Sequence, residues 1–201
     1  MNRIGIAARA CPPLVAANDV GACFGMRPLR LLTWGLVIAL VAHAAATYGA
    51  LPERIPTHFG FDGVADRFSD RSLGLWFLLP IVAASLLLLF EVLVVAMRTR
   101  PELLNIPDKE RFVRLPGRFR EPVDGIIATM MDSTGLSVVL LLGLVQWHQS
   151  QLALSRPGVP VVLIALAPLA ITMVVLLHVS RIGNAVDAAD RRWKEAGSPA
   201  A

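Results

Sequence analysis

The sequence predicts an all-α integral membrane protein, a bundle of four transmembrane helices with an ordered extracytoplasmic loop between the first and second. Three observations predict it. Hydrophobic residues make up 55% of the 201 residues and charged residues 17%, against about 45–50% and about 25% in an average soluble chain. The mean hydropathy is +0.61, and four stretches are apolar over the roughly 20 helical residues that cross a hydrocarbon core. The 19 Lys and Arg residues are distributed unevenly between those stretches. With only Cys11 and Cys23 present, a disulfide scaffold is excluded, and the aliphatic excess excludes a disordered or collagen-like chain.

The first span, 31–48, has one notable polar interruption, His43. A cleaved signal peptide is the alternative reading of this stretch, but its apolar run exceeds the h-region of about 7–15 residues typical of such peptides. The second span, 73–97, contains Pro80 and carries Glu91 near its end. The third, from about 125 to 147, is weak through Asp132, Ser133 and Thr134 and strong from Leu136. The fourth, 159–179, has Pro160 at its start and Pro168 within it; prolines are tolerated in spans where neighbouring helices satisfy the freed backbone groups. Residues 1–25 carry no span and no helical pattern, and Met26 stands as a natural start directly before the first span. They read as a disordered segment, with 26–179 as the membrane domain and 180–201 as a cytoplasmic tail.

Charge fixes the orientation. Lys and Arg total fifteen in the N-terminal segment, the second loop and the tail, against four in the first and third loops. The positive-inside rule then places both termini and the second loop in the cytoplasm. Trp76, Trp147 and Tyr48 fall at the outer ends of their spans, where an interfacial aromatic belt belongs. The pI of 9.8 is thus a topology signal and gives no reason to expect nucleic acid. The basic second loop suits contact with anionic lipid headgroups.

Residues 51–71 hold the densest chemistry. Pro52 and Pro56 favour extended or turning backbone. Gly60 and Gly63 permit positive φ, so Phe61-Asp62-Gly63 reads as a tight turn. So much punctuation predicts an ordered cap on the bundle. The pattern Leu51-Pro52, Ile55-Pro56, His58-Phe59, Gly63, Asp66-Arg67, with Arg71 where a Lys is usual and Leu79-Pro80 in the next span, resembles the bacterial SdpI-like multipass family. A second element, Asn105-Ile106-Pro107-Asp108-Lys109, resembles that family's inner-loop motif. The resemblance covers roughly residues 30–150, and its shared module is a domain of unknown function. It implies a bacterial inner-membrane protein connected with immunity and signalling, whose partner is a peptide or another membrane protein.

Each candidate residue has a plain reading beside the sharp one. His58, Asp62, Asp66 and Asp70 recur every four residues, but Gly60 and Gly63 interrupt any helix that would gather them, so no metal site is expected. His58 and Asp66 are instead expected to bond backbone groups and Arg67 or Arg71, locking the loop to the spans, or else to form an external ligand site. Glu91 and Asp132 lie at similar depths, where each costs about 2.5–3.5 kcal/mol or more unless paired or wetted. They read either as a proton or cation path or as a packing contact satisfied by Ser133, Thr134 or a loop arginine. His43 reads as a helix–helix hydrogen-bond partner. No nucleophile–base ordering, phosphate loop or paired-histidine helix is present, so neither an enzyme nor a cofactor is expected. The two functions in competition are a peptide-sensing or resistance protein and a small transporter.

Overall fold

The computed structural model describes residues 28–60 and 62–197. The expectations for residues 1–25, including Cys11 and Cys23, for Met26 as the start and for Phe61 in the turn lie outside these. Helix α1 spans Pro28–Tyr48; strands β1 (Arg54–Phe59) and β2 (Ala65–Asp70) follow, then a single turn, α2 (Leu73–Trp76), and α3 (Leu78–Thr99). A 3-10 turn (Pro101–Leu103) and α4 (Lys109–Arg114) lead to two long helices, α5 (Gly117–Ala153) and α6 (Val161–Glu195). Four of these helices, α1, α3, α5 and α6, are long and apolar enough to cross a membrane. The chain is an all-α membrane bundle.

Helix boundaries depart from the sequence expectation in a consistent way. The third helix begins at Gly117, not near 125, and the fourth continues to Glu195, so the expected tail is mostly helix. At 1.5 Å per residue these helices are about 55 and 52 Å long, against a hydrocarbon core of about 30 Å. The surplus is sheathed in its own small core. Phe112 of α4 and Leu115, just after it, pack with Val123 and Ile127 of α5 and Ile182 and Val186 of α6, and all six are buried. Polar sequence hid this helix because only one face of it is apolar. Pro80 is the third residue of α3, in the first turn, where its missing N–H costs no intrahelical hydrogen bond.

The membrane portion is built on α1, α3 and α5. Val37 and Leu40 meet Ala83, Leu87 and Val139 at mid-height. Gly135 lets α3 and α5 pack closely there, because a Cβ would stand 3.3 Å from Leu87 and from Phe90 and press on both side chains. The apolar stretch of α6 has none of its residues buried, so this helix is joined to the rest mainly through its second half.

At the hairpin end, Trp76 departs from the interfacial position expected of it. It is fully buried with Ala44, Leu51 and Ile55, and its Nε1–H donates to the Ala44 carbonyl at 3.0 Å. The single turn of α2, capped by Ser72 accepting from the Leu75 N–H, swings the ring inward. Trp147, half-exposed at 49%, and Tyr48, under the Arg71 guanidinium at 5.4 Å, fit an interfacial setting better.

Candidate functional site

The loop after α1 is an antiparallel hairpin, which accounts for the punctuation in the sequence. Gly63, at φ +77°, donates its N–H to the Gly60 carbonyl, and Gly60 donates to the Val64 carbonyl. Asp62 accepts from the Val64 N–H at 3.0 Å, the local bonding that makes Asp a turn residue. A Cβ on Gly63 would overlap the Val161 side chain, so the tip sits directly against the start of α6.

Three contacts clamp the hairpin to the bundle. Ile55 and Pro56 of β1 are buried. Gln149 of α5 donates from Nε2 to the Pro56 carbonyl at 2.7 Å. Arg71 donates from Nη1 to the Leu51 carbonyl at 2.7 Å, and its backbone N–H bonds the Glu53 carbonyl. Arg71 therefore does the locking that the sequence assigned jointly to His58, Asp66 and an arginine. Strand register shifts on both sides of His58, and such a bulge re-aims side chains. Here it sets His58 Nδ1 2.6 Å from Asp66 Oδ1, where a carboxylate requires Nδ1–H as donor. This corrects the expected partners of Asp66: it meets His58, and no bond to Arg67, Arg71 or backbone is formed. Both side chains stay more than half exposed, at 57% and 52%, and Arg67 is exposed as well. Pro52 is also exposed.

An exposed pair of this kind contributes about 0.2–1 kcal/mol, whereas stranding a buried carbonyl costs about 1–3 kcal/mol. Asp66→Ala is therefore expected to leave the melting temperature nearly unchanged. Gln149→Leu should lower it and should deprotect the hairpin amides in hydrogen exchange. The reverse ranking would show that the pair carries the cap.

Beneath the hairpin lies a cavity of about 390 Å³, walled by Thr57, His58, Phe59 and Gly60 above and by side chains of α2, α3, α5 and α6 around it. His148 of α5 lines it, is 4% exposed, and neither ring nitrogen has a hydrogen-bond partner among the described residues. Phe59 meets its ring edge-on at 5.0 Å, and Gly158 lies so close that a Cβ would overlap Nδ1. Gln146, one turn from Ser150, is buried with both amide atoms likewise unbonded among the described residues. Neither His148 nor Gln149 was singled out from sequence. The signal available was the polar run Gln146, His148, Gln149, Ser150 closing an otherwise apolar span.

His43 is the helix–helix partner the sequence predicted. Its Nε2 lies 3.1 Å from Ser150 Oγ. That hydroxyl donates to the Trp147 carbonyl at 2.7 Å, which assigns Nε2–H as the donor toward it.

At the opposite end, Glu91 and Asp132 do come together, through a residue counted above only as a topological charge. Arg30, the third residue of α1, places Nη1 2.9 Å from Glu91 Oε2 and Nη2 2.9 Å from Asp132 Oδ1, with Nε at 3.2 Å from the same oxygen. Exposure is 17%, 24% and 6% for the three side chains. Ser133, expected as a carboxylate partner, instead bonds carbonyls of its own helix. In the inner-loop motif, Ile106 packs on the core of that end and Pro107 faces Gly183 of α6, while Asn105 and Lys109 are exposed. Among the described residues, no group of three or more His, Cys, Asp or Glu side chains is placed to hold a metal ion.

Residues 35–84, running from α1 through the hairpin into α3, match a family model described as a domain of unknown function (DUF1648). No match was found among curated proteins or among solved structures. The matched segment holds the whole hairpin, while Arg30, Glu91, Asp132 and the Asn105–Lys109 motif lie outside it.

Proposed function

We propose that the chain is a non-enzymatic bacterial inner-membrane protein of the SdpI-like type, recognising an envelope-active amphipathic peptide on the hairpin. The observation that carries this reading is a rigidly clamped hairpin presenting an exposed His58–Asp66 pair. Recognition gains from surfaces already held in place, because less ordering entropy is lost on binding. The charge bias supports hairpin-out and termini-in: with Arg30 removed from the flanking count, fourteen Lys and Arg still face four.

The second reading, a small transporter with a proton or cation path, draws on two carboxylates meeting inside an apolar bundle. The Arg30 guanidinium standing between them favours a structural ion pair instead. The readings separate in bacteria that express the chain and are challenged with a membrane-active amphipathic peptide. Under the recognition reading, His58→Ala and Asp66→Ala lose protection while Glu91→Gln keeps it. Protection lost with Glu91→Gln and retained in the hairpin variants would replace it by the transporter reading.

A further inference from the structure

The cavity under the hairpin shares His58 with the exposed pair above it, and its chemistry is divided in two. Leu75, Leu78 and Leu79 on one side and Val145, Val161 and Ile164 on the other form its apolar wall. Apart from Leu75, on the single turn α2, these residues stand toward the hairpin ends of helices long and apolar enough to cross a membrane, so the wall lies near the boundary between hydrocarbon and headgroups. Leu78 is itself about half exposed on the bundle surface. The polar side is supplied by Thr57, His58, Gln149 and His148, of which His148 is buried with both ring nitrogens unbonded among the described residues. A neutral imidazole offers one donor and one acceptor, and its ring is held in place by Phe59 and Gly158. Among the described residues, no Lys, Arg, Asp or Glu lines the cavity. A charged head buried there would lack a counter-ion, an arrangement proteins avoid. At about 390 Å³ the space falls within the range of small-molecule sites, about 300–1,000 Å³.

We propose that this cavity binds a single-chain lipid with an uncharged, hydroxyl-bearing head, which hydrogen-bonds His148 while the acyl chain lies along Leu78, Leu79 and Ile164. An unsatisfied buried imidazole disfavours folding, and its apolar replacement relieves that cost. His148 thus has the mark of a group kept for a ligand: removing it improves the empty protein and weakens binding. The inference does not depend on peptide recognition, which uses the exposed face of the hairpin.

The test uses the full chain in lipid nanodiscs, with monolaurin as the probe and laurate as its charged counterpart. Binding is followed through the His148 ring signals of ¹⁵N-histidine-labelled protein and by competition with radiolabelled monolaurin. Saturable monolaurin binding is expected, with laurate at least tenfold weaker. His148→Leu should weaken monolaurin at least tenfold while melting no lower than the native chain. Leu79→Trp, which fills the cavity and keeps the imidazole, should abolish binding. Any one of three results overturns the proposal: no saturable monolaurin binding by the native chain, undiminished binding by His148→Leu, or laurate binding as tightly as monolaurin. Peptide protection surviving in His148→Leu would leave the hairpin reading standing whichever way the lipid experiment falls.

Discussion

Arg30→Ala is expected to destabilise the protein by up to about 3–5 kcal/mol, the cost of removing one partner from a buried ion pair, since Asp132 is buried and Arg30 and Glu91 are partly so. Arg30 joins Glu91 of α3 and Asp132 of α5 to the start of α1, so its loss leaves two carboxylates facing one another in a region with little water. Deleting all three charges is a different matter. Replacing Arg30 by Met and both Glu91 and Asp132 by Leu should recover most of the loss, because the desolvation of three charged groups disappears along with their attraction. Thermal unfolding of the detergent-solubilised chain measures both variants. An Arg30→Ala protein melting with the native chain would mean that water or lipid headgroups already solvate the carboxylates, and the bundle would not depend on the ion pair.

Trp76→Ala is expected to cost about 3–5 kcal/mol, the range for truncating a large buried aromatic, and to loosen the hairpin together with the ends of α1 and α3. The indole fills the space between Ala44, Leu51 and Ile55 and bonds the Ala44 carbonyl. Trp76→Phe separates the two contributions, since it keeps most of the packing and loses the bond, and should cost about 1–3 kcal/mol. Trp147→Ala should change the melting temperature far less, because that ring is half exposed. Similar losses at Trp76 and Trp147 would show that both serve as interfacial anchors and that the core at this end does not rest on the indole.

The candidate residues were legible in type more often than in partnership. His43 stood out as a lone polar group in an apolar run, and its bond to Ser150 follows from the need of a half-buried imidazole in an apolar span for a partner. Glu91 and Asp132 stood out for the same reason, but Arg30 did not. At the edge of a span an arginine reads as a topological charge, and its contact with Asp132 links residues 102 positions apart. His58 and Asp66 were legible as members of a patterned loop, yet their mutual bond depends on a bulge that strand propensity does not announce. His148 was passed over because one histidine beside a tryptophan at a span's end resembles an interfacial residue; only the packing of Phe59 and Gly158 around it shows that it is enclosed.

By itself the sequence determined the solvent, the number of spans and the presence of an ordered cap, since these follow from local quantities: the length of an apolar run, the spacing of Pro and Gly, the side on which arginines collect. Tertiary structure decided where α5 and α6 end, because their polar continuations become helical only by burying one face against Phe112 and Leu115. It also decided which charges are paired and which polar groups are enclosed. Those are properties of distance between helices, and hydropathy, summed along one chain, carries no record of what stands across from it.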